Sequence, residues 1–564
     1  MIGTRPARRR IGRTAAATIV AVALAAGAAC SSSGESAGGG DNASGGGGGG
    51  TPTDIFVPEG ASISGPPDGT DPQPGGSLVM AIEAEPEGLD PTRYAFAGSG
   101  HFVASAVFDP LATIDDHGDA VPYLAEAIEG DESGKVWTIT VRDGVTFHDG
   151  TPVDAQAIVD NLEAHRQSII TGAALQTVTE VSSPTPNTVQ IDLSLPWFAF
   201  PAVLTSQLGY VAQPEDLAAN TISAQPVGSG PFMFDKHTNN ESWDFQRYDD
   251  YWRTAANGDQ LPYLAEIQYR PIPDDAARLT ALEDGDADMI NTFRPEQVLA
   301  LRDSDYKVVE YTTGEEEFLQ LNTTKPPFDN VTARRALASA TDAAGWIDEL
   351  NSGVGSLANG PFAPGQLGYL ADNGYPAFDM AKAKELVAQY EAETGEDFAF
   401  TYLTVDDPTN LRNHQYLANL YEEAGMDVTV QGMAQINLIA QSATGNYQVS
   451  AFRNFGFPDP DTDAVFWEPN SIRESGASLN FPRFDDPVVQ EAIEEARAST
   501  NDEDRDAAYQ KVSAAFGQEV PYIWLTRANW VLAAAPRVNG MYRAVDGSIQ
   551  TLGAKTWIAE LWVT

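Results

Sequence analysis

From about residue 77 onward the chain alternates between two hydrophobic periods. Residues 78–85 (LVMAIEAE) begin with an apolar run of strand length, and Val136–Val141 (VWTITV) alternates apolar and polar positions with β-branched residues, so both predict strands. Asp149-Gly150 marks a turn. Asp154 then stands where it can cap a helix from about Ala155 to Arg166, with Ile158, Val159 and Leu162 on one face. The helical period returns at Met380–Tyr390, capped by Asp379 and burying Leu386, Val387 and Tyr390. It returns again at Asn410–Ala424, where Gly425 ends the helix and DVTVQGM (427–433) follows as a strand. Pro487–Ser499 and Glu503–Phe516 predict two more helices, and Val520–Leu525 and Trp530–Ala533 two separate strands. Strands and helices alternate without a repeat of 20–50 residues, which predicts an α/β protein.

Length and charge narrow the picture. A chain of 564 residues with 42% hydrophobic positions can bury a large core and predicts about three structural units. Lys and Arg number 33 against 80 Asp and Glu, a formal net charge of −47. Such an acidic body is a poor partner for nucleic acid or for an anionic lipid surface. One cysteine excludes an internal disulfide and a thiolate metal cage. The six histidines, at 101, 117, 148, 165, 237 and 414, never fall at helix-face spacing, which excludes HExxH chemistry.

The first 76 residues read differently. Arg5, Arg8, Arg9, Arg10 and Arg13 precede an uncharged, Ala-rich run from Thr14 to Ala29, too short for a membrane span. Basic start, short apolar run and small residues describe an export signal over residues 1–29. The lone Cys30 follows directly, and residues 30–76 are dominated by Gly, Ser and Pro. That composition predicts a disordered tether with a root-mean-square reach of roughly 35–40 Å.

Several patterns carry no chemistry. Gly34-Glu35-Ser36-Ala37-Gly38 matches GxSxG and Gly45–Gly50 matches GxGxxG, but both lie in the tether, without the strand and helix that those mechanisms require. Asp459-Asp461-Asp463 and Asp284-Asp286-Asp288 begin like calcium loops. They fail at the positions that need Gly and Glu, which are Ala464 and Asn470 in one and Met289 and Pro295 in the other. No triad, phosphate loop or zinc signature stands in a folded segment, so no metal, cofactor or catalytic residue is assigned.

Seven segments, in order, resemble the family 5 solute-binding proteins of bacterial ABC importers, the peptide/nickel type. GGSLVMAIEAEPEGLDP (75–91) resembles the first strand and "LDP" turn. VWTITVRDGVTFHDGTPVDAQAIVDNL (136–162) resembles W-x-F-x-L-R-x-G-x-x-F-x-D-G-x-P-x-x-A-x-D-V. VGSGPFMF (227–234), RYDDYW (247–252) and ALEDGDADM (281–289) are similar to G-T-G-P-Y, N-x-x-Y-W and L-x-x-G-x-x-D. FLQLNTTKPPFDNVTARRALASATD (318–342) resembles the N-x-x-x-x-P-F-x-D segment, and FGFPDPDTD (455–463) resembles A-D-Y-P-D-P-x-x-F. The resemblance implies a periplasmic-binding-protein-like fold, type II, with two α/β lobes, a hinged cleft and an extra third domain. Lobe I would comprise 75–112, 226–326 and 521–564, the extra domain 113–225, and lobe II 327–520. It also implies an extracytoplasmic receptor that delivers a small solute, an oligopeptide first of all, to membrane permease subunits. By the same resemblance Cys30 is the lipid-attachment site, although Gly27 stands where the lipoprotein signal has Leu.

The resemblance places Phe96, Ala97, Gly98 and Ser99, then Phe318 and Asn322, then Arg453, Asn454, Phe455, Gly456, Phe457 and Asp459 at the cleft. In peptide-binding relatives the Asp of A-D-Y pairs with the ligand's α-amino group. Here that position is Gly456, and Arg453 replaces the aromatic usually just upstream. Three consequences stay open: another carboxylate such as Asp459 takes the amine, the ligand is a non-peptide such as an oligosaccharide, or Arg453 pairs with an anion. Asn322 either meets a ligand amide or satisfies backbone, and the nearby aromatics either stack on a ligand or fill the core. Two other function classes remain as alternatives: an envelope scaffold or regulator on the same fold, and an exported hydrolase.

Overall fold

The computed structural model describes residues 61–94, 96, 98–115, 118–406, 408–454, 456–473, 476–541 and 556–564. The export signal, Cys30 and the tether to residue 60 lie outside the described residues, as do Ala97 and Phe455.

One twelve-stranded mixed sheet runs through the molecule. Its order is Asp427–Met433, Ala399–Val405, Val449–Asn454, Lys307–Leu321, Tyr522–Ala534, Met289–Thr292, Ser77–Ile82, Glu266–Pro271, Ser242–Arg247 and Phe232–Thr238. Two short strands attach beside this path, Ala61–Ser64 on Lys307–Leu321 and Ser356–Leu357 on Tyr522–Ala534. A separate four-stranded antiparallel sheet orders Ala125–Gly130, Val136–Val141, Thr188–Leu193 and Val178–Thr185. The helix Ala155–Gln167 packs on it, with Asp154 accepting from the Ala157 N–H as the sequence predicts.

Buried side chains sort into several cores. Leu78, Met80, Trp243, Tyr269, Phe293 and Trp530 share one, drawn from the segments expected to form lobe I. Trp137, Ile139, Phe147, Ile158, Leu162 and Ile191 share a second, around the four-stranded sheet. Lobe II has two, one on each side of its part of the large sheet: Phe318, Phe452, Trp467 and Trp524 on one side, Leu319, Leu321, Phe400 and Tyr421 on the other. The helices Met380–Thr394, Pro408–Glu423, Pro487–Ala498 and Asp502–Glu519 cover these faces.

Three features depart from the sequence expectations. The two strands expected at 520–525 and 530–533 are one strand, Tyr522–Ala534. The polar stretch Thr526–Asn529 looks like a break but is paired: Thr526 and Arg527 are buried, and the Asn529 amide donates to Glu310 Oε1 at 2.8 Å. Second, the buried cores divide inside the paired strands rather than at 326/327 and 520/521. Residues 307–311 pack with lobe I, 318–321 and 522–525 with lobe II, and the ladder shifts register between Thr312 and Glu316. Third, residues 61–76 are not tether. Ala61–Ser64 pair with Val308–Tyr311, and Asp68 pairs at 2.8 Å with the fully buried Lys307. A buried ammonium needs such a counter-charge.

Candidate functional site

The two long strands, Lys307–Leu321 and Tyr522–Ala534, cross from one lobe to the other side by side, and the register shift lies between the lobes. Here the first strand carries three consecutive acids, Glu315, Glu316 and Glu317, all buried. Three adjacent carboxylates with their solvent removed demand counter-charges, and two arginines supply them. Arg453, from the Val449–Asn454 strand of lobe II, brings Nε to 2.9 Å from Glu315 Oε1. Its guanidinium lies 3.9 Å from the Phe293 ring centroid and 5.0 Å from that of Trp530, both in lobe I. Trp530 Nε1 donates to Glu315 Oε2 at 2.6 Å. On the neighbouring long strand, Arg527 Nε approaches Glu316 Oε1 at 3.3 Å. Burial pushes all three glutamates above the ordinary carboxylate range, against the pull of Arg453 on Glu315 and Glu317 and of Arg527 on Glu316.

Above Glu315 lies the loop that contains Gly456. Gly456 has φ +118°, and a Cβ there would sit 2.9 Å from the Glu315 backbone nitrogen. The position of the missing aspartate is therefore closed to any side chain in this backbone. The loop's polar partner is Asp463, which stands where the A-D-Y-P-D-P-x-x-F pattern ends in Phe. Its Oδ2 accepts from the N–H groups of Gly456 and Phe457, each at 3.1 Å. Its Oδ1 is buried without a hydrogen-bond partner. Burial pushes the Asp463 carboxyl up to about 7, against the two backbone donors, with Glu315 and Asp459 adding to the rise.

The sequence-selected residues fall into different roles. Arg453 is 3% exposed, so it is not a surface arginine, and its charge is already met by Glu315. Asn454 pairs with Glu316 across the ladder. Asp459 caps the short helix Pro460–Asp463, accepting from the Asp461 N–H, and both its oxygens are held by Arg505 Nη2 at 2.8 and 2.6 Å. It is committed as a cap and ion-pair partner. Asn322 spends its amide on the carbonyls of Gly445 and Tyr447, at 2.9 and 3.1 Å, and accepts from Thr324, so it satisfies backbone. Phe318 packs edge-on against Tyr522 and Trp524 inside lobe II. Phe96 is a core residue of lobe I that meets His101 edge-on at 5.8 Å, while its N–H donates to Gln207. Gly98 opens the helix Gly98–Val107, and Ser99 Oγ accepts from the Ala84 N–H at 3.1 Å. Phe457 is half-buried, and its carbonyl accepts from the Gln366 amide.

The acids 315–317, Asp463, Arg527, Phe293 and Trp530 were not among the residues selected from the sequence. The signal was present for the acids: three consecutive glutamates stand between the apolar pairs Val308–Val309 and Phe318–Leu319.

A second crossing point ties the extra domain to lobe II. Trp197 donates its indole N–H to Asp461, Arg497 stacks 4.6 Å from the Trp197 ring, and the Phe198 N–H donates to the Arg497 carbonyl at 2.7 Å. Arg497 also binds Asp461 and Glu468, at 2.7 and 3.0 Å. Among the described residues, no cluster of three or more His, Cys, Asp or Glu has metal-holding geometry, and no helix is long and apolar enough to cross a membrane.

Comparison with known proteins agrees with this architecture. Residues 119–475 match the family model described as bacterial extracellular solute-binding proteins, family 5 Middle. The chain is 25% identical over 488 residues to a probable D,D-dipeptide-binding periplasmic protein of Escherichia coli, covering 82% of this chain and 90% of that one. It is 26% identical over 494 residues to Protein XP55 of Streptomyces lividans, covering 84% and 88%. Among solved structures it superposes on the binding protein AgaA of A. tumefaciens, in complex with agropinic acid, with TM-score 0.78 and 24% identity over 87% of this chain and 99% of that one. It also superposes on the oligopeptide-binding protein AppA of Bacillus subtilis, in complex with a nonapeptide, with TM-score 0.76 and 20% identity over 88% and 100%.

Proposed function

The chain belongs to the family 5 bacterial extracellular solute-binding proteins, and from that premise we propose that it captures a small solute, an oligopeptide or a compound of similar size, between its lobes and delivers it to an ABC permease. The observation that carries this reading is the pair of long strands that joins the lobes. They form two adjacent crossings with a register break between them, a geometry that lets the lobes rotate about a short segment without losing either core. Closure is then driven by the solute's preference for the closed state, since it contacts both walls only there. The peptide class is supported by relatives named for dipeptides, for di- and tripeptides and for glutathione.

We further propose that Cys30 is lipidated and that residues 1–29 are removed on export. The lipid would hold the receptor at the outer face of the cytoplasmic membrane, within reach of its permease. Cys30→Ala should move the protein from the membrane fraction to the soluble one.

The receptor role is tested by native mass spectrometry of the purified protein and by melting against peptide, oligosaccharide and chelate panels. A solute at a hundred times Kd stabilises the folded state by about 2.7 kcal/mol. If no panel shifts melting and no solute copurifies, the receptor role is wrong for this chain.

A further inference from the structure

We infer that closing the lobes takes up a proton: the strand junction buries more carboxylates than it has cations to match, the proton is held at Asp463, and acid favours the closed receptor. The inference rests on the receptor reading above and names how that receptor is regulated.

Four carboxylates are buried where the Gly456 loop meets the two long strands: Glu315, Glu316, Glu317 and Asp463. Arg453 lies 2.9 Å from Glu315, and Arg527 lies 3.3 Å from Glu316. Arg453 and Arg294 both pull on Glu317, but Arg294 is itself bound to Asp275 at 2.5 Å. Glu83, which follows the strand Ser77–Ile82, adds negative charge beside Glu315. The charged groups that act on Asp463 are Glu315 from the strand and Asp459 from its own helix, both acids, and Asp463 in turn repels Glu316. Asp459 has its own cation in Arg505, and Asp461 has Arg497. One buried negative charge is therefore left without a match, and such burial is costly.

The surroundings of Asp463 suit a proton. The Gly456 and Phe457 N–H groups fix Oδ2 at 3.1 Å each, and Oδ1 is buried without a hydrogen-bond partner. The loop packs so closely on the strand that a Cβ at Gly456 would lie 2.9 Å from the Glu315 nitrogen. A proton needs no further room, and burial accordingly raises the Asp463 carboxyl to about 7. The cover over this cluster comes from the opposite side of the hinge. Trp530 donates to Glu315 Oε2 at 2.6 Å, Phe293 lies against Arg453, and Trp197 of the extra domain donates to Asp461. The extra domain is bonded to lobe I, where His148 meets the Gly230 carbonyl at 2.9 Å and Gln207 donates to the carbonyls of Pro91 and Tyr94 at 2.6 Å. It therefore travels with lobe I. Separating the lobes lifts these rings and admits water, which returns Asp463 towards the ordinary carboxylate value of about 4. The higher pKa belongs to the closed state, so the proton binds there. Closure is then favoured most below about pH 4, loses about tenfold per pH unit as pH rises to about 7, and levels off above it.

The test reads closure as the distance between spin labels at Asn239→Cys and Ala388→Cys, exposed positions on the two lobes, in the full chain with Cys30→Ala and no added solute. The ratio of closed to open molecules should be about tenfold higher at pH 6 than at pH 8. Asp463→Asn keeps an acceptor for the two loop N–H groups and removes the charge. It should hold the closed distance at both pH values, with folding checked by circular dichroism. Glu316→Gln releases Arg527 to compensate Asp463 and should move the response to lower pH, which decides the matter if D463N does not fold. Asp109→Asn is the control. Asp109 is another buried carboxyl raised to about 7, but it accepts from Tyr251 and Trp252 at 3.1 and 2.7 Å, away from the junction, and its loss should leave the response intact. A ratio independent of pH in the parent, a response unmoved by D463N or E316Q, or one abolished by D109N overturns the inference and leaves the receptor reading standing. If, in addition, no solute panel shifts melting, the receptor reading fails as well.

Discussion

Gly456→Ala isolates the backbone constraint at the loop crossing. The substitution adds one methyl group where φ is +118°, a conformation that costs a residue with a side chain on the order of 1–3 kcal/mol. The same methyl would lie 2.9 Å from the Glu315 backbone nitrogen, 3.2 Å from its Cβ and 3.3 Å from its Cα. None of these atoms is the end of a flexible side chain, so relief requires the strand or the loop to move, at a further cost of about 1–3 kcal/mol. The total is about 2–6 kcal/mol, all of it in the folded state. Gly456→Asp carries the same methylene and adds a negative charge beside Glu315 and Asp463, so it should fall at least as far. Urea unfolding monitored by tryptophan fluorescence is a suitable assay, because Trp530 lies against Glu315. The alanine variant should unfold at lower urea with an unchanged slope. A midpoint within error of the parent would show that the loop adopts another backbone and would remove the steric explanation for the missing aspartate. Improved peptide binding by Gly456→Asp without loss of stability would refute it outright.

Other outcomes follow from the same structure. Glu315→Leu strands the buried Arg453 and should cost about 3–5 kcal/mol, whereas Glu315→Leu with Arg453→Leu should cost less than the sum of the single changes; additive losses would refute the pairing. The raised Asp463 carboxyl, about 7 against an ordinary 3.8, stabilises the fold below pH 4 and loses that contribution as pH rises to 7, about 4 kcal/mol in all. Asp463→Asn should therefore gain on the parent in melting temperature between pH 4 and 8; parallel pH profiles would place the proton elsewhere. Trp197→Phe removes the donor to Asp461 and should loosen the extra domain from lobe II by about 1–3 kcal/mol. A larger radius of gyration in X-ray scattering is expected, and an unchanged one would show that this contact does not hold the domains together. Truncation at residue 60 should leave stability unchanged, while truncation beyond Asp68 should lower it by about 3 kcal/mol because Lys307 loses its counter-charge. Equal melting of the two truncations would refute that role.

The regular elements were legible because their periods are local. The helix at 155, its Asp154 cap and the strands at 136 and 427 all appear where the pattern places them. The junction was illegible for a physical reason. Strand patterns are read from apolar alternation, and the crossing strands are polar where they leave one lobe for the other. The strand at 522–534 is therefore expected as two, and Glu315–Glu317 draw no reading from the pattern, although Arg527 and the three glutamates are buried among opposite charges. The segment 61–76 misled in the same way: its composition is that of a linker, but Lys307 supplies a reason to fold that lies more than 200 residues away. Motif alignment shows the absence of an aspartate at Gly456. It does not show that Asp463 accepts from the Gly456 N–H, because that depends on the turn that folds 463 back onto the 456 amide.

The amino-terminal strand has a mechanical consequence. Ala61 pairs with Tyr311, one residue before the register break at Thr312, and the ladder runs away from the break through Ser64. The chain thus joins the folded body beside its axle, on the lobe I side. A pull transmitted from upstream acts there with almost no lever arm on the rotation that brings the lobes together. If Cys30 is lipidated as proposed, opening and shutting should be nearly indifferent to the pull of that attachment.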